Sequence, residues 1–204
     1  MMTAFLQDNF ALMTGLIRAG GVVMLPLVGL SLVMWLLIIE RTFFFQRLYR
    51  KNMNTGTALD LVRENRLPDP EKYRGAVSLL VTEFIHNRSG RKELDRQLMD
   101  AAVTRIVRRL TRFLALIGVL AAVAPLMGLL GTVTGMIATF DVLAVFGTGN
   151  AKAMAGGISE SLITTQTGLI VAIPGLYMKG FLDRRAEHLS QRIRRVGLYL
   201  KRHL

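Results

Sequence analysis

Three long runs of this chain carry no charged residue, and the segments between them repeat apolar residues at helical spacing. The charge-free runs are Ala19–Ile39 (21 residues), Phe113–Phe140 (28) and Ser161–Met178 (18). At ~1.5 Å rise per residue, the first would span about 31 Å, close to the roughly 30 Å thickness of a bilayer's hydrocarbon core. The pattern predicts transmembrane helices over residues 19–40, 113–140 and 155–178, the last starting near Ala155 and enclosing Glu160. Any one run alone could be a buried core helix, but 28 uncharged residues in a 204-residue chain argue for lipid.

The connecting segments also read as helix. Leu59 and Val62 lie in a short amphipathic piece that Pro68 and Pro70 end. Ala76, Leu79, Leu80, Phe84 and His86 fall in a second helix, closed by Ser89-Gly90. Leu94, Leu98, Ala101, Ala102, Ile106 and Leu110 then recur at three- and four-residue intervals. No breaker follows, so one helix is expected from Lys92 to Phe140, roughly 70 Å long at ~1.5 Å per residue. In the tail, Leu182, Leu189, Ile193, Val196 and Leu200 form a stripe opposite arginines. The 41–112 segment is too short for an independent domain with a good core. Its apolar stripes therefore call for partners, most simply a helical bundle completed by other copies of the chain. The predicted fold is an all-α integral membrane protein with three spans and long helices extending into the cytoplasm.

Composition sharpens this reading. The chain is 51% hydrophobic with mean hydropathy +0.39, yet its net charge is +12. The charge resolves by position. Residues 41–112 hold 16 Lys+Arg and residues 179–204 hold 8, whereas Arg18 and Lys152 stand alone in the other two flanks. Three spans put both basic segments on one side, so the positive-inside rule predicts an outside N-terminus and an inside C-terminus. Residues 1–18 then form an outer segment, with Phe5, Leu6, Phe10, Met13 and Ile17 suited to an interfacial helix rather than a secretory signal. Residues 141–154 form the outer connection, 41–112 the cytoplasmic helical region and 179–204 a cytoplasmic C-terminal helix. Orientation accounts for the basic charge, so no nucleic-acid partner is expected. The chain has no cysteine and only three scattered histidines, which argues against metal or redox sites.

Polar groups inside lipid are costly, so their placement is informative. At 100° per residue, Thr164, Thr167, Gly157 and Gly168 lie within about 80° of Glu160 on the third span, and Thr165 at about 140°. On the second span Gly128, Gly131 and Gly135 lie to one side of Thr132, with leucines opposite. Two readings compete. The small residues could be a close-packing seam, with threonines bonded back to their own helices. Alternatively, the hydroxyls around a carboxylate could line an ion path. Packing explains the glycines, and a conduit better explains Glu160. The first span, interrupted only by Pro26, Gly29 and Ser31, reads as lipid-facing.

The run from Ala124 to Phe140 (APLMGLLGTVTGMIATF) and the run from Gly156 to Pro174 (GGISESLITTQTGLIVAIP) resemble the paired motifs of the MotA/TolQ/ExbB proton-channel family. Three spans and the short N-terminus are most similar to its ExbB/TolQ branch, and to ExbB within it. The resemblance implies a pentamer around a pore that holds helices of an ExbD/TolR-type single-span partner. It also implies output to a TonB/TolA-type transducer in a bacterial inner membrane, with either a TonB-type import system or a Tol-Pal system served. Family pore positions match Thr132, Glu160 and Thr165 here. Thr164 and Thr167 add hydroxyls that could favour sodium, although protons are the expected ion. No cofactor is implied beyond the translocated ion. No nucleophile–base constellation, GxSxG, HExxH or phosphate-binding loop occurs, so an enzyme is not expected. A non-conducting assembly scaffold is the remaining alternative.

Overall fold

The computed structural model describes residues 20–49, 53–73, 75–147 and 151–204. Among these, all regular structure is helical: α1 (Gly21–Tyr49), α2 (Thr55–Arg63), α3 (Ala76–Asn87), α4 (Lys92–Thr111), α5 (Leu114–Phe146) and α6 (Ala151–Arg202). Three helical stretches are long and apolar enough to cross a membrane: α1, the stretch that includes α5, and α6. Residues 1–18, with their expected interfacial helix, lie outside the described residues.

The chain divides into two compact units, one of residues 1–37 and 116–178 and one of residues 38–115 and 179–204. The first holds the apolar parts of α1, α5 and α6. It is thinly cored, as expected where lipid replaces protein as the solvent of the outer faces. Met24, Leu27 and Met34 of α1 are buried, whereas Val22, Leu25, Leu32 and Leu36 on its other face are exposed. Pro26, Pro125 and Pro174 all sit inside helices. Membrane helices tolerate such residues because neighbouring groups can satisfy the freed carbonyls.

The second unit overturns one expectation. The apolar stripes do not wait for other copies of the chain. Val62 of α2, Leu80 and Phe84 of α3, Met99 and Ile106 of α4, and Leu182, Leu189, Ile193 and Leu200 of α6 are all buried within the chain. Residues 41–112 alone are short of core, but the returning tail supplies the missing face. The α4 stripe is also rotated from the predicted one. Asp95 and Met99 point inward, while Leu94 and Ala101 are exposed. Asp95 is drawn in by polar bonds that apolar periodicity does not register. It accepts from the Ser89 amide (2.8 Å), the Ser89 hydroxyl (3.0 Å) and Arg88 Nε (3.4 Å). Arg88 Nη1 also donates to the Val62 carbonyl in the last turn of α2. Burial alone would raise the Asp95 carboxyl, but its hydrogen bonds and the Arg88 charge outweigh it and hold the group below its ordinary value.

The single helix expected from Lys92 to Phe140 is two helices. The backbone turns at Arg112–Phe113, where Phe113 adopts a left-handed φ of 66°. No glycine or proline marks this break. Arg41, which is 4% exposed, holds it in place. Its Nη1 donates to the Arg109 carbonyl (3.1 Å), satisfying an acceptor left open at the end of α4. Its guanidinium lies over the rings of Phe44 (4.9 Å) and Phe113 (5.1 Å). Arg41 Nε stands 2.9 Å from Glu40 Oε2, in ion-pair range but without the angle of a hydrogen bond.

The segment boundaries shift too. α1 runs on to Tyr49, α5 to Phe146, and α6 begins at Ala151, so helix fills most of the expected 141–154 connection.

Candidate intramembrane site

The site is built on the seam between α5 and α6, where small residues let two backbones approach. A Cβ placed at Gly168 would stand 2.7 Å from the Ala124 carbonyl and 3.2 Å from Gly128 Cα. One at Gly128 would meet the Thr164 carbonyl and Thr165 Cα, each at 3.1 Å, and one at Gly135 would meet the Gly157 carbonyl at 2.8 Å. At Gly131 it would collide with the Thr164 side chain, and at Gly157 with the Thr139 hydroxyl. Gly128, Gly131, Gly135, Gly157 and Gly168 therefore all lie within one chain's own helix–helix contact.

The threonines occupy different parts of this seam. Thr164 is buried in it, 1% exposed, and donates to the Glu160 (3.1 Å) and Ser161 (2.9 Å) carbonyls. Thr165 bridges the two helices. It donates to the Gly128 carbonyl on α5 (3.1 Å) and shares that proton with Ser161 O (3.2 Å). Thr132 donates to Leu129 O (2.7 Å) and Thr167 to Ile163 O (2.7 Å). Each hydroxyl thus spends its proton on backbone and keeps its oxygen as an acceptor.

Glu160 sits at another edge of the seam, half-buried. Its side chain turns toward α1. A Cβ at Gly21 would fall on the carboxylate itself, with the carboxyl carbon 2.6 Å away. Among the described residues no hydrogen bond joins the Glu160 side chain to Thr132, Thr164, Thr165 or Thr167. Thr165 and Glu160 are brought to one helix pair, with the Thr165 hydroxyl bonded to the Gly128 and Ser161 carbonyls instead. Sequence reasoning missed Gly21. The signal for it was the Gly20-Gly21 pair opening the first span, a place where a left-handed backbone is cheap. Among the described residues, no three His, Asp or Glu side chains gather as metal ligands.

Comparison with known proteins adds to this geometry. The sequence model of the MotA/TolQ/ExbB proton channel family matches residues 70–195. That stretch includes α3, α4, α5 and all the seam residues of α6. Biopolymer transport protein ExbB-like 3 of Synechocystis sp. is 34% identical over 78% of this chain and 79% of its own length. ExbB-like 1 of the same organism is 37% identical over 76% of this chain, but the match covers 64% of that longer protein. Biopolymer transport protein ExbB of Neisseria meningitidis is 28% identical over 79% of this chain and 81% of its own.

Proposed function

This chain belongs to the MotA/TolQ/ExbB proton channel family, on its ExbB side, and from that premise we propose that it is the ion-conducting subunit of an inner-membrane motor. The observation that carries the proposal is Glu160. It is a carboxylate in the apolar part of α6, beside a seam whose threonine oxygens remain free to accept. In this reading Glu160 lines the path of the translocated proton, which an aspartate of the ExbD/TolR-type partner carries. The oxygens of Thr132, Thr165 and Thr167 stabilise the ion or water on either side, and Thr164 with the seam glycines fixes α5 against α6. Protons are the ion; sodium would need a fuller oxygen shell around the carboxylate.

The outer apolar faces of α1, α5 and α6 meet lipid and neighbouring copies in a pentamer. The pore of that ring takes the span of an ExbD/TolR-type protein. Its output goes to a TonB-type transducer for outer-membrane import, or to a TolA-type one in envelope maintenance. The basic second unit faces the cytoplasm, consistent with the 24 of 26 Lys+Arg that residues 41–112 and 179–204 hold. The mass of the detergent-solubilised complex checks the pentamer.

Glu160→Ala and Thr132→Ala should abolish proton flux through the complex reconstituted with its single-span partner, while membrane insertion stays normal. A scaffold without conduction would behave differently, since Glu160→Gln and Thr165→Val would then leave flux unchanged. Full flux in both alanine variants would sink the ion-path reading.

A further inference from the structure

The Glu160 carboxylate is seated where a side chain of residue 21 would otherwise be. Two independent features make residue 21 a glycine. Its φ is +63°, a left-handed conformation that side chains disfavour, and any Cβ there would coincide with the Glu160 carboxylate. By contrast, Gly29 on the same helix has open space around it, with nothing within 4 Å of a Cβ. The Glu160 carboxylate therefore occupies space left open by α1, a helix that contributes none of the seam's hydroxyls.

We propose that Gly21 is a positioning residue for Glu160: the first span forms one wall of the acid's site and fixes where the carboxylate stands. α1 is then more than a lipid-facing helix. The same span presses Met34 Sδ against Gly175, 2.6 Å from where a Cβ there would be, so α1 meets α6 at two glycines nearly the whole apolar run apart. A shift of α1 along α6 would change the wall that the Glu160 carboxylate stands against, since Glu160 Oε1 is the atom nearest to a Cβ at residue 21. This inference rests on the ion-path reading only for its functional consequence. The seat itself is a matter of shape.

The test uses the complex with its single-span partner in proteoliposomes. Two readings are taken, proton flux and the rate at which dicyclohexylcarbodiimide modifies residue 160. Gly21→Ala should cut flux about tenfold or more, as a misplaced reacting group does, and should change the modification rate. Gly29→Ala should leave both at the wild-type level. Shortening the acid should restore room, so Gly21→Ala/Glu160→Asp should conduct better than Gly21→Ala alone. A double variant with no recovery would assign the defect to left-handed backbone strain and overturn the seat. Wild-type flux and modification in Gly21→Ala, with Glu160→Ala inactive, would overturn the seat and leave the ion path standing. If Glu160→Ala conducts fully, the ion-path reading fails, and the modification rate in Gly21→Ala still decides the seat. Should Gly21→Ala not assemble, the chain's lack of cysteine gives a second route. The pair Gly21→Cys/Glu160→Cys, in which the shorter residue 160 vacates the clash, should crosslink with a short bis-methanethiosulfonate, each thiol displacing methanesulfinate, and failure to do so while Gly29→Cys/Glu160→Cys crosslinks would refute the contact.

Discussion

At Gly128, Gly135 and Gly168 a single added methyl group would meet backbone, which cannot rotate aside as a side chain can. At Gly168 an added Cβ meets the Ala124 carbonyl and the Gly128 backbone, neither of which can rotate away. Gly168→Ala should therefore force α5 from α6 and cost about 1–3 kcal/mol, the range for overpacking. Gly156→Ala, with nothing within 4 Å, should be neutral or gain up to ~1 kcal/mol from helix propensity. Thermal unfolding of the two purified variants in one detergent checks the contrast. A different residue-scale effect governs Asp95, buried at 3% exposure with Ser89 and Arg88 as donors. Its folded carboxyl lies below the unfolded value of about 3.9. The resulting stability is complete above that value and is lost as pH falls through the lower, folded one. Asp95→Asn should be destabilised by about 2 kcal/mol at neutral pH, within the range for charged hydrogen bonds. The gap from wild type should close below about pH 4, as read from denaturation at a series of pH values.

At the scale of elements, the turn at Arg112–Phe113 separates two helices that the amino-acid pattern joins. The break is made by distant groups. Arg41, 68 residues earlier, caps the end of α4, and two guanidinium groups cover the Phe113 ring, with Arg112 at 4.5 Å. A left-handed non-glycine residue costs roughly 1–2 kcal/mol, and the ring contacts offset part of that. Phe113→Gly relieves the strain and loses the contacts, so its stability should stay within about 1 kcal/mol of wild type. Phe113→Ala keeps the strain and loses the contacts, so it should fall about 1 kcal/mol below Phe113→Gly. Arg41→Ala removes the cap as well and should be the worst of the three. Their midpoints in a common thermal scan order them, and a glycine variant less stable than the alanine one would contradict this account. Helix positions were legible where one physical signal dominated. The apolar runs and Pro68, Pro70 and Gly90 marked where α1, α2, α3, α5 and α6 lie, although α1 runs on to Tyr49 and α5 to Phe146. The break before α5 was not legible, because a buried arginine and a strained phenylalanine carry no local signature.

For the whole molecule, sidedness is the property most open to direct measurement. Leu67→Cys, in the exposed loop after α2, and Lys152→Cys, at the start of α6, would each be the chain's one thiol. A membrane-impermeant maleimide should label residue 152 in intact cells and residue 67 only after permeabilisation. The reverse pattern would invert the proposed topology. The amino-acid sequence by itself determined the three spans, the clustering of charge and the paired motifs around Thr132 and Glu160. Those properties depend on composition along the chain and on the high cost of polar groups in lipid. Tertiary structure decided which small residues meet each other, since a helical wheel shows which residues share a face but not what covers it. It placed Gly128, Gly131, Gly135, Gly157 and Gly168 in one intrachain seam and turned Glu160 toward Gly21 on the first span. It also gave the 41–112 segment a core from the distant 179–204 tail. That core follows from chain return, which no local periodicity encodes.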